Sequence, residues 1–298
     1  MSKGRKIGLA IFGIYLLTIF IVVIVFGFTR VDNEEFKPQN EFKLETWVDL
    51  PGPLDLNKGV LYLFIAGILT TVTMVYIARR MQDRPNRTQT LIETIYVFVR
   101  DEITGGSMDD KMARKWFPFL CTLFLFIWFS NLIGYIPLPT NTAEKVDIAG
   151  FEVPAFAIYA ATANISVPLV LALVVFVSYN VEGIRAKGFV GYFKGLVPEG
   201  VSGPGAIPLF ILELVSNVMR LLSLSVRLFA NILAGHLIIL FMSGGLAVLL
   251  GLEALGVFTL PAGVALFLFE LGLVATLQAF IFATLSAIYI GGAVAEHH

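Results

Sequence analysis

This chain of 298 residues is poor in charge and nearly free of cysteine. Only 14% of its residues are charged, and the net charge at neutral pH is −1. A balance so close to zero, with no basic low-complexity run, argues against a nucleic-acid partner. The single cysteine, Cys121, excludes an intrachain disulfide framework. With no paired Cys/His spacing, a structural zinc site is not expected either. The patterns GxxxxGK[ST], GxSxG and HExxH are absent, so no nucleotide is expected to bind directly through a P-loop. No clear internal repeat is found, which counts against a transporter built from inverted halves.

What is present is apolar sequence. Hydrophobic residues make up 57% of the chain and the mean hydropathy is +0.83, the signature of an integral membrane protein. Residues 7–27 are long enough to cross a bilayer. Lys3, Arg5 and Lys6 precede them, but no small-x-small cleavage site follows, so a retained helix is preferred over a signal peptide. Residues 29–58 hold seven carboxylates against four basic residues and read as an external loop around Trp47. Further spans are expected at 59–77, 116–137 and 153–179, followed by two unusually long apolar stretches at 207–250 and 252–292. Between the second and third spans, residues 88–103 carry Leu91, Ile95, Phe98 and Val99 on one apolar face. Thr90 and Glu93 stand at capping-box spacing, and the segment reads as an amphipathic helix lying in the interface.

The expected fold is therefore an all-α integral membrane protein. It has six membrane helices, the last two long and strongly tilted, and one interfacial helix. Residues 1–58 would form an N-terminal helix and external loop, and residues 59–298 a single membrane domain. Placing both termini inside puts 14 lysines and arginines in inner segments and 5 in outer ones, as the positive-inside rule requires. A continuous helix over 207–242 would reach about 54 Å against an apolar slab of about 30 Å, so it must break or tilt.

The polar residues inside these runs carry the chemistry. The stretch RLLSLSVRLFANILAGH, residues 220–236, lies in an otherwise apolar run. Glu213, Asn217, Arg220, Arg227 and Asn231 fall at steps of four, three, seven and four, with Ser223 four before Arg227. On an α-helix these share one face, from which His236 points away. An ionisable group at such depth costs about 2.5–3.5 kcal/mol on insertion scales. Arg227 stays protonated at any biological pH; it cannot relay a proton, but it can hold a fixed positive charge. The bland alternative is a polar seam between helices, which stays open for Asn217 and Ser223. In the last stretch Glu270 needs a partner, and His236 on the preceding helix is the obvious candidate. Gln278 is expected near the level of Arg227. Asn131 and Asn164 lie inside the third and fourth spans, Asn164 in an NIS triplet too deep to read as a glycosylation sequon.

The runs RLFANILAGH (227–236) and LQAFIFATLSAIYI (277–290) resemble subunit a of the rotary F-type ATP synthases. Looser likeness extends to FSNLIGYIP (129–137), ANISVPLVLAL (163–173) and Glu213, fourteen residues before Arg227. The resemblance covers the chain from about residue 45 onward and leaves the helix at 7–27 outside the usual core. It implies a stator subunit of the bacterial plasma membrane, packed against a ring of c subunits and held by b-type peripheral stalk subunits, with no cofactor and no metal. Arg227 would face the ring carboxylate between two offset half-channels. His236 and Glu270 would serve the outer path, and Glu213, Asn217 and Ser223 the inner one. Asn231 and Gln278 would orient the guanidinium.

Two departures from the family pattern stand out. The step from Glu270 to Gln278 is eight residues where seven is usual, which turns Glu270 by about 100° unless a bulge corrects it. No acid stands near Asn131 or Asn164, so the outer path is expected to rely on amides and water. A secondary transporter and a non-transporting anchor subunit are the readings of other classes.

Overall fold

The computed structural model describes residues 17, 44, 46–48, 56–79, 81–82, 84–148, 151–196, 205–242 and 256–294. Apart from Leu17, the expected first span at 7–27 and most of the loop after it lie outside the described residues. Two short strands, β1 (Thr46–Val48) and β2 (Leu56–Asn57), pair antiparallel and lead into α1 (Lys58–Arg79). Then follow α2 (Arg87–Phe98), a π-helical turn (Val99–Gly105) and α3 (Asp110–Ile133). A hairpin of β3 (Leu138–Ile148) and β4 (Phe151–Ala157) and a 3₁₀ turn (Ala161–Ala163) precede α4 (Ser166–Lys187) and the short α5 (Phe189–Lys194). The chain ends in α6 (Ala206–Leu240), α7 (Gly256–Phe269), a second π-helical turn (Glu270–Val274) and α8 (Ala275–Val294).

Among the described residues, five helical segments are long and apolar enough to cross a membrane: Lys58–Arg79, Asp110–Ile133, Ser166–Lys187, Ala206–Leu240 and Thr259–Val294. The described residues are mostly helical, as expected, with two antiparallel strand pairs between the helices. Residues 153–157, expected to open the fourth span, instead belong to β4, paired with β3 from Leu138↔Ala157 to Ile148↔Phe151. A short apolar run such as VPAFA is as compatible with a strand as with a helix, and Pro154 disfavours helix continuation. The third span also ends earlier than expected, at Ile133.

The helix α2 is capped by Asn86, whose side chain accepts from the Gln89 amide at 2.7 Å. That replaces the expected Thr90–Glu93 box: Thr90 is already inside the helix, and Glu93 instead accepts from Gln89 Nε2 at 2.6 Å. Of its apolar residues, Ile95 and Phe98 pack on the core and Val99 is fully buried, whereas Leu91 is exposed.

The core lies where α3, α4, α6 and α8 meet, around Leu120, Leu125, Ile127, Val175, Leu228, Ile232 and Phe282. On α8, Ala275, Ala279, Ala283 and Ala287 recur every four residues, all fully buried. Small residues at that spacing let helix backbones approach closely, the usual basis of packing in an apolar slab. Gly188, at φ +71°, turns the chain sharply from α4 into α5, in a region L side chains avoid. The 35 residues of α6 run unbroken: after Pro208 in its first turn the helix holds no further proline and a single glycine, Gly235. At 1.5 Å per residue that is about 52 Å.

Candidate functional site: two polar clusters flanking Arg227

The polar stripe of α6 straddles the edge of the helix's buried face. Asn217 turns into the core and is 5% exposed, whereas Ser223, Arg227 and Asn231 are exposed. Ala230 and Ala234 share that exposed face, so the surface around the guanidinium is lined by short side chains. Among the described residues Arg227 makes no hydrogen bond or ion pair with its own chain. It stands ten residues beyond Asn217 and nine before His236, about 15 Å and 14 Å along the axis.

The first cluster lies where the start of α6 meets the ends of α4 and α8. Tyr179 donates to Asn217 Oδ1, Tyr192 donates to Asn180 Oδ1 at 2.8 Å, and Asn217 Nδ2 reaches the same oxygen at 3.4 Å. Arg220 pairs with Glu213 at 3.4 Å, two turns back on the same helix, and lies over the Tyr289 ring at 5.7 Å. Tyr179, Tyr192, Glu213, Asn217, Arg220 and Tyr289 line an open cleft of about 360 Å³. The fold creates it through Gly183, where any side chain would overlap the Tyr192 ring and push α5 away from α4. Burial pushes the Tyr192 phenol above its ordinary pKa, opposed by Asn217 and the Arg220 charge, so it acts as a neutral hydroxyl. Lys115 on α3 pairs with buried Glu182 on α4, whose second oxygen has no partner among the described residues. Ser223 does not line the cleft; it lies on the exposed face nearer Arg227.

The second cluster gathers the far end of α6, the end of α3 and the second π-helical turn. His236 is 3% exposed and Glu270 9%, but the two do not bond to each other directly, contrary to the pairing expected from sequence. Tyr135 lies between them. Its hydroxyl donates to Glu270 Oε2 at 3.2 Å, and its ring lies against the His236 imidazole with centroids 4.7 Å apart. His236 directs Nδ1 to the Ile232 carbonyl at 3.0 Å and Nε2 to the Gly134 carbonyl at 3.3 Å. A neutral imidazole can donate only one of these. The carboxyl of Glu270 fills the space beside Gly235, where a Cβ would overlap it.

The π-helical turn Glu270–Val274 accounts for the eight-residue step. It takes up one extra residue, and Glu270 and Gln278, 6% exposed, both end up buried. Asn131 is fully buried: it accepts from Thr162 at 2.7 Å and donates to the Ala275 carbonyl at 3.2 Å, tying α3 to the 3₁₀ turn and to α8. Asn164 takes a different part. Its side chain accepts from the Ser166 amide at 3.0 Å and so caps the start of α4, away from the Glu270 group. Tyr135 went unnoticed in the sequence because it read as one more residue near the end of the expected span at 116–137; the available signal was a phenol within apolar sequence, which needs a polar partner when buried. Among the described residues no three His, Cys, Asp or Glu side chains come together as a metal site.

Comparison with known proteins identifies the family. The family model described as "ATP synthase A chain" matches residues 60–291. The chain is 37% identical to the ATP synthase subunit a of Rubrobacter xylanophilus over 252 residues, covering 83% of this chain and 88% of the relative. It is 36% identical to that of Nocardioides sp., covering 82% and 84%. With that of Myxococcus xanthus the identity is 33%, covering 84% and 78%. Both buried clusters and Arg227 fall within the matched span, and the chain belongs to the ATP synthase A chain family.

Proposed function

We propose that this chain is the stator-side proton channel of a rotary ATP synthase, set in a bacterial plasma membrane against a ring of c subunits. In this reading residues 7–27 supply a sixth membrane helix. Residues 1–58 are an added element, and residues 59–298 form the channel domain. Both termini face the cytoplasm, in line with the 14 inner against 5 outer basic residues. The last two helices run tilted across the bilayer, since about 52 Å of α6 exceeds its apolar thickness. Peripheral stalk subunits of the b type hold the chain still while the ring turns.

The observation that carries this reading is the position of Arg227: exposed on a membrane helix, among Ser223, Ala230 and Ala234, with no bond to its own chain among the described residues. A guanidinium so placed is unlike a seam that glues one bundle together, because it is open to a counter-charge on another molecule. A ring carboxylate supplies that charge. The cleft beside Asn217, Glu213 and Arg220 serves the inner half-channel, and the Tyr135–Glu270–His236 group the outer one. A proton from outside reaches the ring carboxylate through the outer group. The neutral site leaves Arg227 and enters lipid, and after nearly a full turn the proton departs through the inner cleft. Arg227 attracts the emptied carboxylate and keeps the two paths apart. Asn231, on the same exposed face, and Gln278 orient the guanidinium and its waters.

Cysteine cross-linking in the assembled complex tests the docking. Ala230→Cys and Ala234→Cys should each cross-link to a cysteine beside the ring carboxylate, and the buried Ser225→Cys should not. Cross-linking from Ser225 alone, or from none of the three, would contradict the proposal.

A further inference from the structure

We infer that Tyr135 is a positioning residue of the outer path, holding the Glu270 carboxyl in place whether that group is ionised or protonated. The inference rests on the channel reading above. Glu270 sits in an apolar helix, and the space beside Gly235 receives its carboxyl. Tyr135 Oη lies 3.2 Å from Oε2. His236 cannot substitute for it, because both imidazole nitrogens are directed at backbone carbonyls.

The phenol cannot swing away. Tyr135 is 1% exposed and its ring is clamped between His236 and the edge-on ring of Phe267, 5.7 Å away at 87°. The choice of a hydroxyl matters. A hydroxyl donates to a carboxylate and accepts from a carboxylic acid, so the contact survives each loading and unloading of Glu270. A cation at this position would favour the ionised carboxylate, and an apolar ring would leave either form without a partner. Tyr135 and the carbonyl that receives His236 Nε2 are adjacent in sequence, so the turn ending α3 fixes both groups of the outer path together.

The test uses the whole ATP synthase in inverted membrane vesicles. Tyr135→Phe keeps the ring and its packing, so assembly, read as the amount of chain in the purified complex, should be unchanged. ATP-driven proton pumping should fall about tenfold, the scale of losing one hydrogen bond to a charged group. In isotope-edited infrared spectra of the complex, the Glu270 carboxyl band is the one that Glu270→Gln removes. It should shift in Tyr135→Phe, a change that loss of packing alone would not produce. Unchanged pumping, or slower pumping with the band unmoved, would overturn the inference. Arg227→Ala run in parallel separates the two levels. If Arg227→Ala stops pumping while Tyr135→Phe has no effect, only the role of Tyr135 falls. If Arg227→Ala pumps normally, the channel reading falls and this inference with it.

Discussion

The carboxyl group of Glu270 rests where a side chain on residue 235 would otherwise be, so the absence of a Cβ at Gly235 is part of how the acid is housed. The two residues lie on different helical segments, and neither position can change without the other responding. Gly235→Ala should therefore displace the Glu270 carboxyl, at a local cost of about 1–3 kcal/mol for overpacking. The complex is expected to assemble and pump protons more slowly. Normal pumping in the Gly235→Ala complex would show that the carboxyl can move aside freely.

The π-helical turn makes a sharper prediction. Deleting Leu273, an exposed residue inside the turn, should convert it to α-helix and leave Glu270 and Gln278 on their present faces. Deleting Leu277, also exposed but one turn later, shortens the step equally. It leaves the π-turn in place and rotates one residue against the other by about 100°. Pumping should survive the first deletion and not the second. Equal loss in both would mean the turn does not set the register.

The two asparagines expected to act alike should separate. Asn131→Ala takes the acceptor from the buried Thr162 hydroxyl and removes a second bond to the Ala275 carbonyl, which keeps its helical one, costing about 1–3 kcal/mol for the stranded hydroxyl. Asn164→Ala removes a helix cap, worth about 1 kcal/mol. Thermal unfolding of the detergent-solubilised complex should show the larger drop in Tm for Asn131→Ala.

The pair between Lys115 and Glu182 should be asymmetric. The Glu182 side chain is 7% exposed and that of Lys115 50%, so Lys115→Ala strands a buried carboxylate whereas Glu182→Ala leaves a lysine that water can reach. Breaking a buried pair costs about 3–5 kcal/mol when the survivor stays buried and charged, and an exposed survivor costs about 1 kcal/mol or less. The same unfolding measurement should rank Lys115→Ala as the more damaging change.

Much of this was legible before any coordinates, because membrane helices announce themselves by length and hydropathy, and the one long helix bearing Arg227 by its polar residues. Other features were only hinted at. The eight-residue step was the trace of the π-turn, but spacing alone does not tell a bulge from a rotated side chain. The β3–β4 hairpin was hidden because residues 153–157 are apolar enough to extend the span that follows. Periodicity placed Asn217 and Arg227 on one stripe. It could not say that neighbouring helices cover one edge of that stripe and leave the other open, since burial depends on where α4 and α8 stand. Tyr135 needed the fold itself: the end of α3, the far end of α6 and the π-turn meet only in three dimensions.

The most direct test of the account is ATP-driven proton pumping by complexes carrying Arg227→Ala, with assembly verified from the purified complex. The account predicts assembled complexes that do not pump, and poor pumping with Arg227→Lys, whose compact ammonium lacks the planar fork of guanidinium. Pumping at the normal rate in Arg227→Ala would contradict it.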